Sequence, residues 1–361
     1  MHARDQRERT QNNLPHDTHT LRRADAPTIL RKIFKGGALI ALLFAATALA
    51  PHAARAQAAQ PKLRITTASG VRVRAQPETG AAETAKLPVG VVLTELERSP
   101  QKAKVGASED YWYQISTPEG ARGWVFGGLT APFDAARREE IYQSIADERL
   151  ANKSASFADL VDLVRFLDRA TKEATRRDAA AGLEFARLSA LARSLAAIPA
   201  DQHDNPTYKQ WTNERDKEVV YSEPSGQWYV RADLLWDLQK KYRDLPVGER
   251  IAWEAAETPL PGECEGDLGC TLYYASATHG NYLKLYPRGP HAAAALSHLA
   301  ETFKYVTDDI RGTEHVYQVS PEEKADFQKT VATLREQLSA AASPEAAQLL
   351  KQLEEIARHF G

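Results

Sequence analysis

A small all-β barrel followed by a mainly α-helical domain is the architecture this sequence predicts, and three observations carry it. Between residues 63 and 129, short alternating apolar stretches are broken by Gly, Pro and Ser, the texture of closely spaced strands. Beyond residue 132, apolar residues recur at three- and four-residue spacing behind recognisable helix caps. At 361 residues the chain is long enough for two domains, each with its own core. A charged fraction of 26% beside 43% hydrophobic residues excludes wholesale disorder and a collagen-like fibre. The formal net charge of -2 leaves no basic excess for wrapping nucleic acid.

The first fifty-six residues are expected to lie outside the fold. Residues 36–50, GGALIALLFAATALA, are uncharged and apolar, follow Arg31, Lys32 and Lys35, and precede the small-residue tract AARAQAAQ. That order is the pattern of a secretory signal, here with a long n-region, and Ala54-Arg55-Ala56 is its best cleavage triplet, so Ala56 ends residues 1–56. Fifteen apolar residues fall short of the ~20 that span a bilayer, so no integral membrane segment is expected in the mature chain. Neither cysteine lies near the cleavage site, which excludes lipid attachment there. Nine of the 46 basic and four of the 48 acidic residues lie in residues 1–56, leaving 37 and 44 and a net charge of -7. A mildly acidic exported protein, periplasmic or secreted, has no electrostatic reason to seek nucleic acid or anionic lipid.

Residues 62–132 are read as the barrel, with about five short strands. Val71 and Val73, residues 91–93, the aromatic run YWYQI at 111–115 and WVF at 124–126 supply strands, and Thr117-Pro118-Glu119-Gly120 supplies a turn. Alternation puts Tyr113 and Ile115 on one face of their strand and Trp112 and Gln114 on the other. With Ile115 inward, Trp112 is expected at the surface beside Tyr111, with Trp124 reaching them from the next strand. The polar insert at 99–110 is expected to border this face as a mobile loop. Tyr111, Trp112 and Trp124 are therefore the candidate ligand-binding residues; the competing role is that the tryptophans cover the barrel ends.

Residues 134–361 read as mainly helical. A charged helix over 134–151 links the two parts. Ser156 and Asp159 form an S-x-x-D cap before Leu160, Leu163, Val164 and Leu167, and Leu188, Leu191, Leu195 and Ile198 repeat the spacing before Pro199. A short β-hairpin is expected at 218–230 around Glu223-Pro224-Ser225-Gly226. Helices follow at 232–242, 247–257, 273–285 and 291–305, and Ser320-Pro321 and Ser343-Pro344 each read as a cap followed by a first-turn proline. Cys264 and Cys270, the only cysteines, sit in a Gly-rich loop and are expected to form a disulfide closing 264–270, worth roughly 2 kcal/mol on a chain-entropy estimate.

The barrel region resembles the bacterial SH3-like domain. The resemblance rests on Val71-Arg72-Val73-Arg74-Ala75-Gln76-Pro77, Gly80, Leu87-Pro88-Val89-Gly90, Tyr111-Trp112-Tyr113 and Gly123-Trp124-Val125 in this order, and covers about seventy residues. The long insert and Arg72, where the family commonly has asparagine, depart from its pattern. The resemblance implies binding of a cell-wall peptide or an envelope protein. Residues 282–299 weakly resemble one tetratricopeptide-type helix-turn-helix, with no 34-residue period.

No G-x-S-x-G, H-E-x-x-H, P-loop or G-x-G-x-x-G is present, so no catalytic residue and no cofactor is assigned. His291 and His298 share a helix face with His279 nearby, but no acidic or cysteine third ligand comes at matching spacing, so no metal is assigned either. Glu263, Glu265 and Asp267 start like a calcium loop, but its glycine and terminal glutamate are out of place. The sequence thus points to an exported, non-enzymatic binding protein. The alternative is a cell-wall-active hydrolase whose barrel targets a helical catalytic domain, which requires a carboxyl with a raised pKa in a cleft.

Overall fold

In the VRVR segment, valines alternate with arginines, and a strand sorts them onto two faces: Val71 and Val73 are wholly buried while Arg72 is exposed. The computed structural model describes residues 61–313 and 315–361; the expected signal peptide and its cleavage at Ala56 lie outside the described residues. Seven strands form, not five: β1 Leu63–Thr66, β2 Val71–Arg74, β3 Glu83–Leu87, β4 Val92–Val105, β5 Ser108–Ser116, β6 Arg122–Phe126 and β7 Thr130–Phe133. They make one antiparallel sheet in the order β3-β2-β6-β5-β4-β1-β7, curled around Val71, Val73, Leu87, Leu93, Ile115 and Val125.

The insert at 99–110 is not a loop. Most of it belongs to β4 and β5, which run on as a two-stranded hairpin pairing Lys102 with Tyr111 and Val105 with Ser108, and Gly106 turns it at φ +61°. A register shift between Arg98 and Lys102 accommodates Pro100, which has no N–H to offer a ladder. There the Ser99 hydroxyl accepts from the Trp112 N–H at 3.0 Å and replaces the missing strand partner.

Eleven helices are described after the barrel. Helices α1 Arg138–Ala151, α2 Phe157–Glu173, α3 Arg177–Ala196, α4 Pro206–Glu214 and α5 Ala232–Tyr242, with the hairpin β8 Val219–Ser222 and β9 Gln227–Val230, build a first layer. Helices α6 Val247–Glu257, α7 Leu268–Ala275, α8 Asn281–Leu285, α9 Ala292–Arg311, α10 Lys324–Ala341 and α11 Pro344–Phe360 build a second. The caps act as their sequences imply: Ser156 and Asp159 form a reciprocal capping box on α2, and Ser343 accepts from Ala346 N–H ahead of Pro344 on α11. Glu139 of α1 caps another helix, accepting from the Thr175 and Arg176 N–H groups at the head of α3. Those bonds, with the Thr175 hydroxyl and the Arg176 charge, hold its carboxyl down at about 2.

Three expectations change in the second layer. The helix expected at 273–285 is α7, then a π-helical turn Ser276–Gly280, then α8. Helix α10 begins at Lys324, after a turn in which the Ser320 hydroxyl bonds Glu323. The tetratricopeptide-like character of 282–299 is not confirmed, because only the five-residue α8 precedes α9. Cys264 and Cys270 are bonded with Cα atoms 5.4 Å apart, and Asp267 between them caps α7 by accepting from the Cys270 N–H at 3.2 Å.

The barrel and the first helical layer share a core. Ile65 and Val89 are wholly buried among Tyr142, Val164, Phe166 and Leu167. The Val89 N–H donates to Asp162 at 2.9 Å, and the Val89 carbonyl accepts from Arg169 at 3.3 Å, both residues on α2. Gly90 follows at φ +82°, where a Cβ would fall 2.1 Å from the Phe166 ring. Both its backbone angle and that contact require glycine. Gly90→Ala is therefore expected to lower stability by at least about 1–3 kcal/mol, the usual range for an overpacked core. A urea melt of the full chain followed by circular dichroism checks this, and a wild-type midpoint would contradict the contact.

Candidate functional site

The alternation that buries Val71 and Val73 turns Arg72 and Arg74 to the outer face of the sheet. On that face, register sets Trp112 of β5 opposite Phe126 of β6, and Trp124 opposite both Gln114 and Arg74. A cleft of about 800 Å³ opens here, between the barrel and the first two turns of α2. Trp112, Phe126, Val105 and Leu129 give it an apolar floor, with Leu129 still 38% exposed. Arg72, Arg74 and Lys86 stand on the barrel rim, and Asp159 and Asp162 on the α2 rim.

The three aromatic residues singled out by the sequence separate. Trp112 lines the cleft but is only 3% exposed, which corrects the expected surface position. Its outer face is covered: Phe126 packs edge-on at 5.6 Å between centroids, and the β4–β5 hairpin supplies Ser99 and Val105 beside it. The indole N–H is buried and has no hydrogen-bond partner among the described residues. A buried donor left unpaired costs on the order of 1–3 kcal/mol, which the packing around the ring offsets. Tyr111 projects from the opposite face of β5, beneath the Arg98 guanidinium at 4.3 Å and the Lys102 ammonium at 5.7 Å. Trp124 is partly exposed on the same sheet face as Trp112, but Phe126 takes the position across from Trp112.

The rim charges differ in how far they are engaged. Arg72 pairs with Glu83 at 3.1 Å with both side chains largely exposed, a contact worth little in water and open to exchange. Arg74 donates to the Ala81 carbonyl at 2.6 Å. Asp159 is held by the Ser156 cap and by Arg149 at 3.4 Å. Burial pushes its carboxyl up, but bonds from Ser156 and the Arg149 charge outweigh this and leave it below its ordinary value. Asp162 is engaged by the Val89 N–H. The Asp159 carboxylate thus serves as fixed negative charge, not as a protonated acid for glycoside chemistry.

Arg72 and Arg74 could have been found from the VRVR alternation, and Phe126 from the same alternation in its strand. Asp159 and Asp162 could not, since α2 lies more than seventy residues beyond β2 and only the shared core places it there. Outside the cleft, Glu257, His279 and His298 bring three metal-ligand atoms within 4.8 Å of one another. Glu257, the acidic partner that sequence spacing does not supply, comes from α6.

Comparison with known families places a bacterial SH3 domain at residues 69–131, which includes the barrel side of the cleft. No curated protein matches the chain.

Burial at this position makes Trp112 a stability residue as well as a cleft residue. Trp112→Ala is expected to cost about 3–5 kcal/mol, while Trp112→Phe keeps an aromatic ring against Phe126 and costs far less. Chemical denaturation of the three chains side by side provides the measurement. An alanine variant as stable as wild type would mean the ring is not packed as described.

Proposed function

We propose that the protein is exported to the cell envelope and binds cell-wall peptide, without catalysis, in the cleft between the SH3 barrel and α2. The observation that carries this is an apolar floor between rims of opposite charge. A cell-wall peptide stem bears carboxylates and, in many forms, a free amine; the first suit Arg72, Arg74 and Lys86, the second Asp159 and Asp162. Small side chains along such a stem suit the apolar strip of Trp112, Phe126, Val105 and Leu129. Domains of the matched family often bind cell-wall components. Export is supported by residues 36–50 with their basic flank, and by a disulfide, which persists in oxidising compartments. No described helix is long and apolar enough to cross a membrane.

Two substitutions on exposed parts of the cleft test the binding. Leu129→Ser and Lys86→Glu together should leave the melting midpoint unchanged and reduce co-sedimentation with purified sacculi at least tenfold. Wild-type protein that stays in the supernatant overturns cell-wall binding and leaves a protein ligand in its place. Release of soluble muropeptides overturns the non-enzymatic assignment in favour of the hydrolase.

The export component is checked separately. A full-length precursor expressed in a bacterium should be recovered outside the cytoplasm with a new N-terminus next to Ala56. A full-size cytoplasmic product would end that part of the proposal.

A further inference from the structure

The second helical layer carries a cluster that the cleft does not use. Helix α6 presents Glu249, Trp253 and Glu257 at four-residue spacing, on one face. His291 stacks on Trp253 at 4.5 Å with planes 8° apart, and its Nδ1 bonds Glu249 at 2.8 Å, so this histidine is already engaged. The remaining two converge differently. His279 Nε2 lies 2.9 Å and His298 Nε2 3.5 Å from the same oxygen, Glu257 Oε1. Their rings lie against each other, 4.2 Å between centroids and 14° between planes. Three ligand atoms bound to one tetrahedral ion at about 2.0–2.1 Å would lie roughly 3.3–3.5 Å apart, close to these spacings.

The position of His279 is built by the backbone. It sits in the π-helical turn Ser276–Gly280, whose extra residue breaks the α-helical phase and sets the imidazole toward α6 and α9. Such a turn leaves backbone groups without regular partners, and buried Gln337 of α10 answers one: its amide donates to the Ser276 carbonyl at 3.1 Å. Gly280 permits that approach, because a Cβ there would stand 2.2 Å from Gln337 Oε1. Short π segments are rare and concentrate at functional sites. Trp253 walls the cluster, while Glu257 and His298 are 43% and 46% exposed, so an ion could enter from solvent and retain an open coordination position.

From this convergence we infer that Glu257, His279 and His298 form a zinc site, with one coordination position left to water or to a donor from a partner. Two imidazoles and one carboxylate select a borderline transition ion over Mg²⁺ or Ca²⁺, which require oxygen-rich shells. A bound ion would tie α6, the π turn and α9 together, so loading should also stabilise the fold.

The test is calorimetric titration of the chelator-stripped full chain with ZnCl₂, with MgCl₂ and CaCl₂ as comparison ions. Wild type should bind one zinc per chain beyond whatever His279→Ala/His298→Ala binds, show no comparable response to Mg²⁺ or Ca²⁺, and melt higher when loaded. Glu257→Gln should bind at least tenfold more weakly. If the double variant fails to fold, His298→Ala, a change at a half-exposed side chain, takes its place with the same tenfold criterion. Equal zinc binding by wild type and variant would assign the ion to histidines elsewhere in the chain and overturn the site, as would an unchanged melting temperature on loading.

Discussion

The contact between the Val89–Gly90 turn and helix α2 is the constraint from which the rest of the structure follows. A seven-stranded sheet of this size has a small interior, an apolar cluster of six buried residues here, and gains little stability alone. It exports two of its wholly buried residues, Ile65 and Val89, into the helical core, where Phe166 closes over Gly90. Two hydrogen bonds from α2 satisfy the Val89 N–H and carbonyl, groups that would otherwise be buried without partners. A side chain at Gly90 would collide with Phe166, so α2 can sit this close only because that position is glycine.

That placement makes the cleft a property of both parts. The barrel alone would offer a sheet face with arginines; α2 adds the opposing wall and its carboxylates. The same acids also hold the architecture, Asp159 in the cap of α2 and Asp162 on Val89, so charge at the rim is pinned by groups that the fold already needs. Trp112 shows a similar double use. It is packed as a core residue, yet it also lines the cleft.

Farther along the chain, stability rests on two helical cores joined through Trp236, which packs against both. The first is tied by a half-buried network in which Arg187 and Arg215 each bind both Asp168 and Glu218, linking α2 and α3 to the turn before β8. Burial would raise the Asp168 carboxyl, but bonds from the two arginines and their charges hold it below its ordinary range. Within the second core, the π turn breaks the helical phase, and it carries His279.

Features set by neighbours along the chain were legible in the sequence. The VRVR strand, the Thr117–Gly120 turn, the Ser156 and Ser343 caps, helices Ala232–Tyr242 and Val247–Glu257, and the cystine all follow from local chemistry acting over a few residues. Alternation within YWYQI correctly opposed Trp112 to Ile115, but it could not reveal that both faces of the strand are covered, because the covering hairpin depends on a bulge at Pro100. Polar composition likewise made 99–110 resemble a loop, since an exposed hairpin carries the same residues as a coil and only its pairing distinguishes them. The α2 wall of the cleft and the meeting of Glu257 with His279 and His298 belong wholly to tertiary structure. Local sequence determines which face a residue occupies on its own strand or helix; which distant charge faces it there is decided only when buried surfaces such as Gly90 against Phe166 bring the elements together.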